Sequence, residues 1–110
     1  MSANTQAREL LEMAAKAAGY NVKPHPNYKS CSDLAFTYQN KNWNPLTDDG
    51  EALRLAAKLG IHLQFAMDYA VAYAGSVHAK QFTERCGSDQ YAATRRAIVR
   101  AAAEIGKAQP

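Results

Sequence analysis

The stretch Trp43-Asn44-Pro45-Leu46-Thr47-Asp48-Asp49-Gly50-Glu51-Ala52-Leu53-Arg54-Leu55-Ala56-Ala57-Lys58-Leu59-Gly60 constrains this chain more than any other. Pro45 pushes Asn44 out of the α region and pre-sets a turn. Asp48 then stands where a helix N-cap belongs, with Glu51 in the position of a capping-box partner. Asp49 adds negative charge at the positive end of the helix, and Thr47 is the rival cap one residue earlier. Behind the cap, Ala52, Leu53, Leu55, Ala56, Ala57 and Leu59 fall on one wide arc, while Glu51, Arg54 and Lys58 share the other side. Gly60 supplies the stop, since it takes the left-handed conformation without a Cβ clash. Starting a helix accounts for the acids of Asp48-Asp49-Gly50-Glu51 without a Mg²⁺ ion or a general acid–base role. Trp43, Pro45, Asp48, Gly50 and Gly60 are therefore read as structural residues.

The chain before this stretch is less regular. A first helix is expected over 4–18, with Leu10, Leu11, Ala14, Ala17 and Ala18 on one arc, Arg8, Glu9, Glu12 and Lys16 on the other, and Gly19 as its stop. Segment 20–33, with Pro24 and Pro26 around His25, has turn chemistry and suits the presentation of loop residues such as His25 and Tyr28. A short strand is expected over 34–38, followed by a turn at Asn40-Lys41-Asn42.

Beyond Gly60 the period changes from helix to strand. Ile61, Leu63, Phe65 and Met67 alternate with His62, Gln64 and Ala66, the pattern of a half-buried strand. A turn at Asp68 leads into Tyr69, Val71 and Tyr73 alternating with alanines, with the tyrosines expected in the core or half-buried, and a weaker third strand covers 78–84. Cys86-Gly87-Ser88-Asp89 breaks the chain, and Ser88 or Asp89 caps a final helix over 90–106. Its apolar face is expected to be Tyr91, Thr94, Ile98, Ala101, Ala102 and Ile105, with Arg96 and Arg100 opposite, Arg95 flanking, and Glu104 placed to pair with Arg100. These elements predict one α+β domain over 1–110: a small antiparallel sheet of three to four strands packed against helices, in the order α-(β)-α-β-β-β-α. An N-terminal helix and irregular segment occupy 1–42, and an αβββα unit occupies 43–106.

Charge and composition narrow the function classes. The net charge of +3 comes from the C-terminal part, where Lys80, Arg85, Arg95, Arg96, Arg100 and Lys107 outnumber Glu84, Asp89 and Glu104. The longest nearly uncharged stretch, 59–77, contains His62, Gln64 and Asp68 and alternates in polarity, so no membrane span is expected. Charged residues Arg8, Glu9, Glu12 and Lys16 interrupt any signal-peptide pattern, which gives a cytoplasmic location as the default and reduced thiols at Cys31 and Cys86. His25, Cys31, His62, His78 and Cys86 form no close metal-ligand pair. There is no Gly-x-Ser-x-Gly, P-loop or GxGxxG, so no catalytic residue, metal or cofactor is assigned and a non-enzymatic protein is expected. The interaction candidates are Arg95, Arg96 and Arg100 on the final helix, with Tyr28 and His25 in the N-terminal loop. A small anion or nucleotide at the start of that helix is a third expectation. The alanine face of the first helix or an open sheet edge would suit a homo-oligomer.

Two resemblances add to this reading. From Asp48 onward the order helix, strand, strand, strand, helix resembles the double-stranded-RNA-binding domain, which implies duplex contact through a basic last helix. The Lys-Lys-x-Ala-Lys type run of that family is replaced here by Arg95-Arg96-Ala97-Ile98-Val99-Arg100, so duplex binding is the alternative expectation. Trp43-Asn44-Pro45 with Asp48-Asp49-Gly50-Glu51-Ala52-Leu53-Arg54-Leu55-Ala56, and the block from Ala92 to Gly106, resemble small uncharacterised proteins of bacteriophages and prophages of Gram-negative bacteria. That resemblance implies a phage accessory protein working in the cytoplasm of a bacterial host. The expected partner is a host protein or complex, and counter-defence, interference with a host defence system, is the concrete form.

Overall fold

The last helix is the centre of the molecule. The computed structural model describes residues 3–26, 36–75 and 80–109. Its elements run α1 (Ala3–Ala18), β1 (Lys23–Pro24), β2 (Phe36–Tyr38), β3 (Lys41–Trp43), α2 (Asp49–Leu59), β4 (His62–Ala66), β5 (Tyr69–Tyr73), β6 (Gln81–Arg85) and α3 (Gln90–Lys107). The α+β class and the helix–strands–helix–strands–helix order are those expected from the sequence. The strands, however, make two antiparallel sheets, β1-β2-β3 and β4-β5-β6.

Helix α3 packs on α1, α2, β5 and β6, and its buried surface is wider than the narrow stripe expected. Ala93, Ala97, Ile98, Val99, Ala101, Ala102, Ala103 and Gly106 are all buried, whereas Tyr91 is exposed. The reason is the size of the residues. Alanines on α3 meet Ala14, Ala15 and Ala18 of α1, so the helix backbones approach closely, and a Cβ at Gly106 would overlap the Met13 carbonyl. On the other flank the alanines of β5, Ala70 and Ala72, turn inward with Phe82. Val71 and Tyr73 lie half-buried on the outer face of the sheet, as expected for Tyr73, while Tyr69 at the start of the strand is exposed, contrary to the expectation of a core or half-buried tyrosine. There the Tyr73 hydroxyl donates to Gln64 Oε1 at 3.1 Å.

The entry to α2 is built as the sequence dictates, with two changes. Asn44 is buried and its Oδ1 accepts from Leu46 N at 3.0 Å, while its carbonyl accepts from Thr47 N and Asp48 N, both at 3.1 Å. Asp48 is the cap, accepting from Glu51 N at 3.0 Å, and Thr47 instead donates its hydroxyl to the Asn44 carbonyl. The reciprocal half of a capping box is not made. The Glu51 carboxylate turns forward to Arg54 Nη2 at 2.7 Å, and that bond and its charge raise the Arg54 pKa above its ordinary value. A Cβ at Gly50 would lie 3.3 Å from both Asp48 Oδ1 and the Arg54 guanidinium. Gly60 closes the helix at φ 64°, donating back to the last turn.

The N-terminal sheet differs most from expectation. Its hairpin turns at Gln39-Asn40, both with positive φ, so Lys41 and Asn42 belong to a strand that pairs back on β2. The part of the expected strand at 34–35, like residues 76–79 before β6, lies outside the described residues. Trp43 closes this sheet from below: it is buried, and Tyr20 stands edge-on to it while stacking on Tyr38 at 4.5 Å. Burial and the neighbouring Tyr38 push the Tyr20 hydroxyl above its ordinary pKa. No helix among the described residues is long and apolar enough to cross a membrane.

Candidate functional site

α3 covers β5 and β6 but leaves β4 largely bare. Leu63 and Phe65 pair with Ala72 and Ala70, so they share the face that α3 occupies further along the sheet. α2 packs on α3 and stands clear of this strand. The result is an open cleft of about 600 Å³ between α2, β4 and the first turns of α3. Its walls are Ala52 and Leu53 of α2, Leu63, Phe65 and Met67 at the end of β4, Tyr69, and Tyr91, Thr94 and Ile98 of α3. The five exposed large hydrophobic residues among the described ones are Leu53, Phe65, Met67, Tyr69 and Tyr91, and every one lines this cleft. Their exposure runs from 45% at Tyr69 to 64% at Leu53 and Phe65 and full exposure at Met67. Scattered exposed apolar side chains are ordinary on a protein surface, whereas their collection in one concavity makes this cleft the candidate site.

The polar groups around the cleft are already engaged. Arg95 donates from Nε to the Leu46 carbonyl at 2.8 Å and from Nη1 to Asp49 Oδ1 at 2.5 Å, tying α3 to the start of α2. The Thr94 hydroxyl donates to the Gln90 carbonyl within its own helix at 2.8 Å. Cys86, half-buried, lines the cleft as a free thiol. This arrangement offers apolar contact and shape; its one ion pair is internally neutral.

The sequence candidates are scattered by the fold. Arg95 reaches the rim of the cleft. Arg96 and Arg100 leave it and converge on the half-buried carboxylate of Glu84 on β6, Arg96 Nε at 3.0 Å from Oε1 and Arg100 on Oε2. Arg100 thus pairs with Glu84 and not with Glu104, which faces Lys80 at 3.8 Å, because α3 lies across β6 and brings Glu84 beneath it. The start of α3 is also taken: Asp89 Oδ1 accepts from Tyr91 N and Ala92 N at 3.1 and 3.0 Å, placing a negative charge where an anion would bind. His25 follows β1, half-buried, on the other sheet, and Tyr28 lies outside the described residues. Among the described residues no three His, Cys, Asp or Glu side chains gather to hold a metal ion.

Sequence reasoning assigned Leu53, Phe65 and Tyr91 to buried faces and so missed the site. One signal was available: the apolar arc of α2 runs from Ala52 through Leu53 to Leu59, wider than a single packing surface fills, and Leu53 and Ala57 are left outside. No protein-family model, curated protein or solved structure matches the chain.

Proposed function

We propose that this chain is a non-enzymatic binding protein that captures an apolar segment of another protein in the cleft between α2, β4 and α3. The observation that carries this reading is the gathering of Leu53, Phe65, Met67, Tyr69 and Tyr91 around one concavity. Hydrophobic burial is the dominant favourable term in most protein association, and residues already exposed lose water on binding without any rearrangement of the fold. The occupant is an apolar protein segment and not a nucleic acid, because the arginine at the rim, Arg95, is paired with Asp49, while Arg96 and Arg100 turn away from the cleft and share Glu84. With the resemblance to phage and prophage proteins, the partner belongs to the bacterial host, and counter-defence remains the concrete form of the proposal.

The test uses Leu53→Asp, which places a charge in the cleft at a position exposed enough to leave the fold intact. Tagged wild-type and variant chains are purified from host cells after nuclease treatment, with melting temperatures measured in parallel. The expected result is a protein held by the wild type and lost by the variant at unchanged melting temperature. A protein held equally by both, or retention that disappears with nuclease, would sink the reading.

A further inference from the structure

The sheet β4-β5-β6 has two edges of different kinds. β6 carries Glu84 and Arg85, follows Lys80, and has its Glu84 carboxylate tied to Arg96 and Arg100. Charges of this kind protect an edge from the addition of another strand. β4, His62-Leu63-Gln64-Phe65-Ala66, contains no Asp, Glu, Lys, Arg or Pro, and all of it but Leu63 is exposed. The two-residue connection Met67-Asp68 fixes the parity of its backbone. Ala66–Tyr69, Gln64–Val71 and His62–Tyr73 are the hydrogen-bonded pairs, so the N–H and C=O groups of Leu63 and Phe65 point to the open edge. None of these groups has a backbone partner outside the sheet among the described residues.

We propose that the occupant of this edge is a second copy of the chain, β4 pairing antiparallel with β4 about a two-fold axis at Gln64. Parity requires the axis to pass through a residue, and Gln64, the centre of the five-residue strand, is the one that pairs its whole length. Leu63 of each copy then stands opposite Phe65 of the other, and the outward backbone groups satisfy one another. Gln64 faces its own symmetry mate in a non-hydrogen-bonded pair, and two three-stranded sheets become one of six. Because the axis passes through a residue and not between two, odd residues meet odd residues. Leu63 and Phe65 of both copies therefore share the cleft face, and the two apolar floors run together. No like charges meet, since His62 lies opposite Ala66. The same operation on β6 would draw into the seam a Glu84 carboxylate that already holds two arginines. The self-pairing extends the function proposed above and does not depend on it.

Four chains test it: the wild type, Gln64→Lys, and Gln64→Cys and Thr83→Cys, each of the last two in a Cys31→Ser/Cys86→Ser background. Gln64→Lys sets two ammonium groups side by side on the axis. Gln64→Cys sets two thiols in a pair whose Cα atoms are about 4.5 Å apart, within reach of a disulfide. The expected wild-type mass in solution is twice the 12.0 kDa of the chain. Gln64→Lys halves it and melts where the wild type melts once diluted to monomer, and mild oxidation links Gln64→Cys into a dimer while Thr83→Cys on β6 stays unlinked. A wild-type chain that is monomeric even at about 1 mM, the weak end of specific association, would overturn the proposal. So would a dimer that survives Gln64→Lys, or a Gln64→Cys chain that forms no cross-link; were Gln64→Lys to melt below the diluted wild type, the cross-link alone decides.

Discussion

The contact between α1 and α3 and the cleft between α2, β4 and α3 use apolar residues in opposite ways. The first is made of Ala14, Ala15, Ala18, Ala97, Ala101, Ala102 and Gly106, all buried. The second is made of Leu53, Phe65, Met67 and Tyr91, all exposed. Small side chains let two helix backbones approach, so stability there comes from many close contacts and tolerates no added volume. Large side chains left in water contribute little to this fold and become useful when something else covers them. Large apolar residues such as Leu11, Phe36, Trp43 and Leu55 are buried elsewhere in the core, so what sets the cleft apart is that its large side chains have no surface of this chain to cover them.

The largest effect should come from adding volume to the alanine contact. Gly106→Ala places a methyl group against the Met13 carbonyl, which the α1 backbone can relieve only by moving away. Overpacking typically costs 1–3 kcal/mol, direct overlap with a backbone carbonyl puts this site at the upper end, and the roughly 1 kcal/mol that alanine gains in helix propensity offsets part of it, for a net loss of about 2 kcal/mol. Denaturant unfolding measures it. A variant as stable as the wild type would mean that α1 and α3 are not in backbone contact.

Arg95→Ala comes next, because it removes the link between the two walls of the cleft. The side chain is largely buried and its bond to the Leu46 carbonyl has no substitute in the fold, so a loss of about 1.5 kcal/mol is expected, in the range for hydrogen bonds to charged groups. Asp49→Asn should cost no more than about 0.5 kcal/mol, since its carboxylate is mostly exposed and solvent screens the pair. If the two variants were equally destabilised, the ion pair and not the carbonyl bond would be what holds α3 to α2. Asp48→Ala should cost about 1 kcal/mol by leaving Glu51 N uncapped. Its effect on partner binding should track the fraying of the first turn of α2, which hydrogen exchange at Glu51 and Ala52 would register.

How much of this was legible depended on whether the signal was local. The three helices, their caps at Asp48 and Asp89 and the stop at Gly60 are written in neighbouring residues, and so is the alternation of β4 and β5. What alternation leaves open is which of two faces turns inward. On β5 the tyrosines are the larger apolar residues, yet the alanines are buried, because the surface waiting for them is α3, itself alanine-rich, with the Phe82 ring of β6 filling the space beside Ala72. The partners of the arginines are equally invisible locally: Glu84 precedes Arg96 and Arg100 across the break at Cys86-Gly87-Ser88-Asp89, and meets them only once α3 lies over β6. The Gln39-Asn40 hairpin was hidden for another reason. Asn at positive φ is common in such turns and Gln is not, so the pair does not announce itself.

The smallest effect on stability, and the sharpest on function, should come from Leu53→Ser combined with Phe65→Ser. Deleting two large apolar side chains from a core would cost several kcal/mol, roughly 2–5 for each. Both residues here are 64% exposed, so the folded state buries little of their surface and the expected change for each is within about 0.5 kcal/mol. The unfolded chain, which exposes them as well, is stabilised by the substitution nearly as much as the native one. What the double variant removes is the affinity of the cleft for apolar ligands. Fluorescence of a hydrophobic dye bound to the native wild-type protein should fall toward background in the variant while the two denaturation curves superimpose. Should the variant instead lose stability like a core mutant, either Leu53 and Phe65 pack on each other in solution, or Phe65→Ser has weakened the β4–β4 pairing in which Phe65 stands opposite Leu63 of the second copy. Sedimentation of the same sample separates those two cases, because only the second makes the loss depend on protein concentration.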